Sequence, residues 1–135
     1  MDTITKIRAQ ARKKIKSIVL PEYDDKRVVE AARIIEAEGL AKVTLFTEDM
    51  VDHQEKERYI QEYYEMYRPK DIDMAVVKKL FEGTLYYVAM MTKEGKFDGL
   101  VAGAAHTTPD MVRASMRCIG IDERISLVSS CFIMQ

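Results

Sequence analysis

Short apolar runs alternate with amphipathic stretches along the first half of the chain, and this alternation predicts an α/β domain. The run Ser17–Leu20 is rich in β-branched residues and stops at a proline, so it predicts a buried strand. An Asp-Asp pair at 24–25 then precedes apolar residues at helical spacing, and Gly39 ends that helix. Residues 42–47 predict a second strand, so the three elements together have the length of a parallel βαβ unit.

The remaining pattern is mostly helical. It predicts an opening helix over 3–16, helices around 59–67, 72–80, 85–91 and 109–120, and strands at 99–103 and 125–134. Tyr59, Tyr63 and Tyr67 recur every four residues, which is typical of a buried helix face, with ligand stacking as the less common alternative.

These elements together predict a three-layer α/β/α fold with a mostly parallel sheet. A length of 135 residues suits one domain with a real hydrophobic core, so we expect a single α/β domain over 1–135. The last predicted strand has no element after it to cover the sheet, and we therefore expect this domain to be incomplete.

Composition excludes several classes of protein. The 21 basic and 22 acidic residues give a net charge of -1, so the chain lacks the basic excess that would indicate a nucleic-acid partner. No apolar run approaches the roughly 20 residues of a membrane span, and we expect a cytoplasmic protein with no membrane partner. Cys118 and Cys131 form no CxxC or Cys/His cluster, and no P-loop, GxGxxG, GxSxG or HExxH motif occurs, so neither a metal nor a cofactor is predicted.

The junction 103–113 is the strongest candidate for a binding site. It joins a predicted strand to a predicted helix at the sheet edge where α/β proteins bind ligands. Thr107 and Thr108 can donate from their hydroxyls at the helix N-terminus, and Arg113 brings a planar guanidinium one turn later. These features favour an anion such as phosphate or a carboxylate. The alternative is that a threonine only caps the helix and the arginine is only a surface cation.

Two neighbouring features are expected to be structural. His106 precedes the threonines, and no Asp or Glu is evident in the sequence to orient its ring, so we expect a hydrogen-bonded loop residue rather than a base. The acids of the segment 21–27, Glu22 among them, are expected to cap the helix that follows, with Arg27 paired to one of them.

Four blocks of sequence in a fixed order identify a resemblance. They are Ile18-Val19-Leu20-Pro21-Glu22-x-x-Asp25-x-Arg27, Met91-x-x-x-Gly95-x-x-Asp98-Gly99-x-Val101-x-Gly103-Ala104, Thr107-Thr108-x-Asp110-x-x-Arg113 and Val128-Ser129-Ser130-x-Phe132-Ile133-Met134. In this order they resemble the N-terminal part of phosphate acetyltransferase (phosphotransacetylase), within the phosphate acetyl- and butyryltransferases.

The resemblance implies transfer of an acetyl group between coenzyme A and inorganic phosphate, with coenzyme A as a substrate and no separate cofactor. It also implies a fold similar to that of the isocitrate and isopropylmalate dehydrogenases, in which two α/β domains enclose a cleft. Members of the family use a Ser-Arg pair and an Asp from a C-terminal segment, together with hydroxyls and arginines of the N-terminal part that hold the phosphate. Thr107, Thr108 and Arg113 match that phosphate side by position.

Three departures from the family change this expectation. The C-terminal segment with the Ser-Arg pair and the Asp is absent from the chain, so we expect an N-terminal domain without its second domain. Tyr67 stands where the family has a phosphate-binding arginine, and Arg68, one place later, is kept as a candidate substrate-binding residue. The stretch between Phe46 and Tyr59 is also shorter than in the family.

These departures lead us to expect that the isolated chain is inactive. We expect it to form a homo-oligomer or to associate with a complementary C-terminal segment. Three alternatives remain open: a non-catalytic module that keeps the fold to bind an anion or a partner, an acyltransferase of the phosphate butyryltransferase type, and a generic α/β nucleotide binder, which the missing Gly-rich loop disfavours.

Overall fold

The computed structural model describes residues 1–134, and in these residues a three-stranded parallel sheet is surrounded by helices. Strand β1 (Ser17–Leu20) is central and pairs with β2 (Lys42–Leu45) on one side and with β3 (Gly99–Leu100) on the other. Both pairings are parallel, with Ser17 opposite Lys42 and Ile18 opposite Gly99. The predicted βαβ unit and parallel sheet are therefore confirmed.

Six α-helices are defined within the described residues. They are α1 (Thr3–Lys13), α2 (Lys26–Ala37), α3 (His53–Tyr67), α4 (Met74–Leu80), α5 (Leu85–Lys93) and α6 (Thr108–Ala114), and α6 continues into one π-helical turn, Ser115–Ile119. Aspartates cap four of them, since the side chains of Asp2, Asp25, Asp52 and Asp73 accept from a backbone N–H two or three residues ahead.

The sheet separates two helical layers. Val19 of β1 is fully buried in the core that α3 and α5 form, whereas the next residue, Leu20, lies against α2 together with Val28 and Ile35. Successive side chains of a strand point to opposite faces, so this alternation places α2 on one face of the sheet and α3 and α5 on the other. The three-layer architecture predicted from the sequence is thus observed.

The tyrosine stripe of α3 is a core face, as its spacing predicts. Tyr59 and Tyr63 are fully buried, and Tyr67 is partly buried against the same core. The ring centroids of Tyr59 and Tyr87 lie 5.3 Å apart, and those of Tyr63 and Tyr67 lie 4.7 Å apart, which is the usual range for aromatic pairs.

The fourth strand predicted over 125–134 is wrong. In the described part of this segment the backbone is irregular and every side chain is exposed, with Phe132 93% exposed. Ser126 has a positive φ of 61°, and its N–H donates to the carbonyl of Asp122 in a turn. A strand needs a neighbouring strand that pairs with its backbone N–H and C=O groups. The apolar composition of residues 125–134 indicates a preference for burial, but it does not supply that neighbour.

Strand β3 is shorter than the predicted 99–103, for a reason that lies in its neighbour. The N–H of Val101 still donates to the carbonyl of Val19 at 3.1 Å. Beyond that point β1 ends in Pro21, which has no N–H with which to continue the ladder. The chain after Val101 is therefore released from the sheet. None of the helices in residues 1–134 is long and apolar enough to cross a bilayer.

Candidate anion site beside a buried carboxylate

One carboxylate joins the end of β1 to the loop that follows β3. Glu22 is only 3% exposed, and its two oxygens accept hydrogen bonds from four consecutive backbone N–H groups, those of residues 103–106. Oε1 lies 2.7 Å from the nitrogen of Gly103 and 3.0 Å from that of Ala104, and Oε2 lies 2.8 Å from that of His106. Successive N–H groups converging on one negative charge form an anion nest, here filled by the chain's own carboxylate.

The hydrogen bonds of the nest set the protonation state of Glu22. Burial by itself would raise the pKa of this carboxyl, because a charge is costly away from water. The hydrogen bonds from the N–H groups of residues 103–106 outweigh burial and lower the pKa to about 2. Glu22 is therefore ionised at neutral pH, and the sequence-based expectation that it caps α2 is wrong, since it holds a distant loop instead.

The same carboxylate orients His106. The Nδ1 atom of His106 lies 3.0 Å from Oε2 of Glu22, so the ring has the acidic partner that the sequence did not reveal. Because the ionised carboxylate can only accept, Nδ1 is assigned as the N–H donor, which leaves Nε2 on the opposite edge of the ring. Glu22 and His106 are 84 positions apart, but each follows one of two neighbouring parallel strands. This placement after adjacent strands was the only signal in the sequence that could have predicted their contact.

Arg27 holds the same loop from a second direction. Its guanidinium pairs with the carboxylate of Asp25 at 2.7 Å, as the sequence predicts, and also donates to the carbonyl of Ala104 at 2.7 Å. Asp25 caps α2 through the N–H of Arg27 at 2.9 Å. The side-chain hydrogen bond from Arg27 is the largest cause that lowers the pKa of Asp25 to about 2.

Two of the three residues predicted to bind an anion lie at the start of α6, and the third, Arg113, lies in the last turn of this helix. Thr107 is the N-cap, and its Oγ1 accepts from the N–H of Asp110 at 3.3 Å, while Thr108 is exposed in the first turn. Nη1 of Arg113 lies 3.4 Å from Oδ1 of Asp110, and the side chain is about half exposed. Thr107 therefore caps the helix, which is the role that the sequence analysis kept open as the alternative to anion binding.

Arg113 also lines a cleft, which we call the Arg113 cleft. It has a volume of about 360 Å³, and its wall includes His106, Asp110 and Arg113 together with Lys79 of α4. Lys79 and Arg113 bring positive charge to this wall and Asp110 brings negative charge, whereas Thr107 and Thr108 are not part of it.

Arg68 does not join this group. It begins the 3₁₀ turn Arg68–Lys70 after α3, its side chain is 65% exposed, and Nη1 lies 3.8 Å from a carboxylate oxygen of Glu65. It is not part of the wall of the Arg113 cleft. No group of three or more acidic, histidine or cysteine side chains suited to a metal ion occurs within residues 1–134.

Comparison with known proteins places these features in context. The sequence pattern of the family described as "Phosphate acetyl/butaryl transferase" matches residues 2–135. The phosphate acetyltransferase of Acetivibrio thermocellus is 31% identical over 99% of this chain and 46% of its own length. That of Thermoanaerobacterium thermosaccharolyticum is 30% identical over 100% of this chain and 47% of its own length, so the chain spans about half the length of these relatives.

Solved structures show the same fold. A phosphotransacetylase from Staphylococcus aureus superposes with a TM-score of 0.67 at 25% identity, covering 89% of this chain and 42% of that protein. A phosphotransacetylase from Streptococcus pyogenes superposes with a TM-score of 0.64 at 23% identity, covering 87% of this chain and 43% of that protein.

The Glu22 nest predicts a pH-dependent stability. At pH 7 we expect Glu22→Gln to lower the free energy of unfolding by about 2–4 kcal/mol, because a neutral amide offers one acceptor oxygen to four N–H donors. The folded pKa of Glu22 lies below the ordinary value of 4.5, so this contribution is complete above pH 4.5 and is lost as the pH falls towards 2. Urea unfolding of both proteins between pH 7 and pH 2.5 measures the difference.

Glu30→Gln is the matched control, because Glu30 is an exposed glutamate paired with Arg33 on the surface of α2. We expect it to cost less than about 1 kcal/mol. If Glu22→Gln were as stable as the control at pH 7, the carboxylate would not hold the loop.

Proposed function

The chain belongs to the phosphate acetyl/butyryltransferase family, and we propose that it is the N-terminal α/β part of a phosphate acetyltransferase. In this proposal the chain holds the inorganic phosphate that replaces coenzyme A on the acetyl group. Phosphate and coenzyme A are both substrates, and no separate cofactor takes part. The curated relatives named above support the acetyl rather than the butyryl reaction. Because the chain spans about half of their length, the second α/β domain and its residues are expected to come from outside this sequence.

The observation that carries the proposal is the position of the Arg113 cleft. It opens beside the loop after β3, at the carboxyl end of a parallel sheet, which is where α/β folds bind ligands. A guanidinium presents two N–H groups in a plane and matches two phosphate oxygens. The contact of Arg113 with Asp110 is long and solvent-exposed, so the guanidinium can turn to a ligand at little cost.

Loop rigidity supports the same proposal. Glu22 holds the loop through its backbone N–H groups, and Arg27 holds it through the carbonyl of Ala104. Arg113 and Lys79 in the wall of the cleft are therefore left for the substrate, while Thr107 caps α6 and Thr108 lies exposed in the first turn outside that wall. A site held before the substrate arrives loses less entropy on binding.

The chemistry requires more than this chain offers. A phosphate oxygen attacks the acetyl carbonyl of the thioester, the carbon–sulfur bond breaks, and the sulfur of coenzyme A leaves with the electron pair and takes up a proton. This chain's residues bind and orient the phosphate nucleophile. The groups expected from the resemblance to act on the thiol and the carbonyl, a Ser-Arg pair and an Asp, belong to the segment that the sequence does not contain.

Association is part of the proposal. A mainly apolar cavity of about 290 Å³ lies between α2, the end of β1 and the loop after β3, and Val101 in its wall is 58% exposed. Exposed apolar surface of this kind favours contact with a further segment or a second copy of the chain. We propose a complementary C-terminal segment or a homo-oligomer as the partner, with the protein acting in the cytoplasm.

The activity assay separates this proposal from a non-catalytic module. We expect the purified chain alone to form no acetyl phosphate from acetyl-CoA and phosphate, because nothing in it positions the thiol beside a base. Adding the C-terminal half of the Acetivibrio thermocellus relative is expected to restore turnover, measured as free thiol released. Turnover by the chain alone would contradict the proposed division of the site. No turnover from the mixture, despite a complex detected by sedimentation, would favour the non-catalytic module.

Phosphate binding tests the site directly. We expect inorganic phosphate to shift the amide resonances of residues 107–113, and Arg113→Ala to weaken this binding by about 1–3 kcal/mol, since a charge-assisted hydrogen bond is lost. The free energy of unfolding should change by less than about 1 kcal/mol.

The control for this variant is Arg124→Ala. Arg124 also pairs with an aspartate, Asp122, at 2.8 Å, but it is 87% exposed and lies outside the Arg113 cleft. It should leave phosphate affinity unchanged. Amides 107–113 that do not respond in the wild-type protein would refute the phosphate site.

A further inference from the structure

The two nitrogens of the His106 ring have different surroundings. Nδ1 lies 3.0 Å from Oε2 of Glu22, a carboxylate that is almost entirely buried. Within residues 1–134, Nε2 forms no hydrogen bond, and the His106 side chain is 35% exposed. The buried carboxylate therefore fixes the orientation of the ring and leaves one ring nitrogen free.

The free edge of the ring belongs to the Arg113 cleft. His106 is part of the wall of this cleft, whereas Glu22 is not, so the cleft meets the side of the ring that is turned away from the carboxylate. Nε2 lies on that side. His106 thus brings one polar atom, held in a fixed direction, to a cavity of about 360 Å³.

This nitrogen accepts hydrogen bonds and does not donate them. A neutral imidazole carries one N–H, and because the ionised carboxylate of Glu22 holds it at Nδ1, Nε2 keeps its lone pair. Lys79 and Arg113 in the same wall are donors only. The cleft therefore combines cationic donors with one neutral acceptor, which suits an anion that still carries a hydroxyl group.

Asp110 is the other acceptor in the wall, and it suits a phosphate less well. Its Oδ1 atom lies 3.4 Å from Nη1 of Arg113, so its charge is directed at the guanidinium. A carboxylate also repels a phosphate dianion at short range, whereas a neutral nitrogen accepts from the hydroxyl of the same anion without that repulsion. His106 is therefore the acceptor that meets a phosphate hydroxyl at the lower electrostatic cost.

We propose that Nε2 of His106 accepts a hydrogen bond from the hydroxyl of hydrogen phosphate in the Arg113 cleft and makes this site selective for phosphate over sulfate. The inference rests on the proposed function, because it concerns the same cleft and the same substrate. Sulfate has the shape and charge of the hydrogen phosphate dianion but no hydroxyl, so it leaves the lone pair of Nε2 unpaired. In the bound phosphate the hydroxyl is turned to His106, and the three unprotonated oxygens are left for Arg113, Lys79 and the attack on the acetyl carbonyl.

Titrations with the two anions test this selectivity. At pH 8, where inorganic phosphate is mainly the dianion, we expect phosphate to bind about three- to tenfold more tightly than sulfate, as judged by the amide shifts of residues 107–113, because one hydrogen bond distinguishes them. His106→Phe should weaken phosphate binding by that factor and leave sulfate affinity unchanged, so that the preference disappears. A purely structural role of the ring would instead lower both affinities together.

The second histidine of the chain supplies the controls. His53 is exposed at the start of α3 and lies outside the cleft, so His53→Phe should leave both affinities unchanged. In the wild-type protein, ring-nitrogen NMR spectra should show His106 as the Nδ1–H form, with Nε2 shifting on addition of phosphate but not of sulfate, and His53 responding to neither. This measurement needs no variant, so it decides the question even if His106→Phe does not fold.

Four outcomes would overturn the inference: equal affinity for the two anions, an equal or absent response of Nε2 of His106 to both, a joint loss of both affinities in His106→Phe, or a preference that persists in this variant. The last outcome would assign the selection to Asp110. In each case a response of residues 107–113 to phosphate still supports the proposed function. Amides 107–113 that respond to neither anion would overturn both.

Discussion

The carboxylate of Glu22 and the backbone of residues 103–106 satisfy each other's hydrogen-bonding needs in a place where water does not reach the carboxylate. Four consecutive N–H groups that belong neither to a helix nor to a strand need an acceptor, and a buried carboxylate needs donors. Each requirement alone would be destabilising, and together they fix the path of the chain from β3 into α6. Because α6 begins directly after this loop, the positions of Thr107 and Arg113 depend on the same contact.

Two groups of residues with different tasks surround the candidate site. Glu22 and Arg27 use their charge on the loop itself, Glu22 through N–H groups and Arg27 through the carbonyl of Ala104. Arg113 and Lys79 make few contacts within the protein and remain available to a ligand. In the proposed site, the groups that would bind phosphate are thus separate from the groups that hold the loop.

The local part of the structure could be predicted from the sequence. The aspartate that caps α2, the tyrosine period of α3 and the proline that ends β1 each act over a few residues, and each prediction made from them holds. Contacts between distant residues could not be read in this way, because Glu22 meets residues 81 to 84 positions away and its glutamate looked like an ordinary helix cap. The strand prediction for residues 125–134 was wrong for a related reason, since an apolar run indicates a preference for burial but does not supply a neighbouring strand.

Native-state hydrogen exchange of the amides of Gly103 to His106 tests most directly whether Glu22 organises this loop. If it does, these amides exchange at least about a hundredfold more slowly than in an unstructured peptide at neutral pH, because opening the loop breaks several charge-assisted hydrogen bonds together. In Glu22→Gln they should exchange at rates close to those of the peptide, while amides of the central strand, such as that of Val19, remain protected. Equal protection of the loop in both proteins, or none in the wild-type protein, would contradict the account.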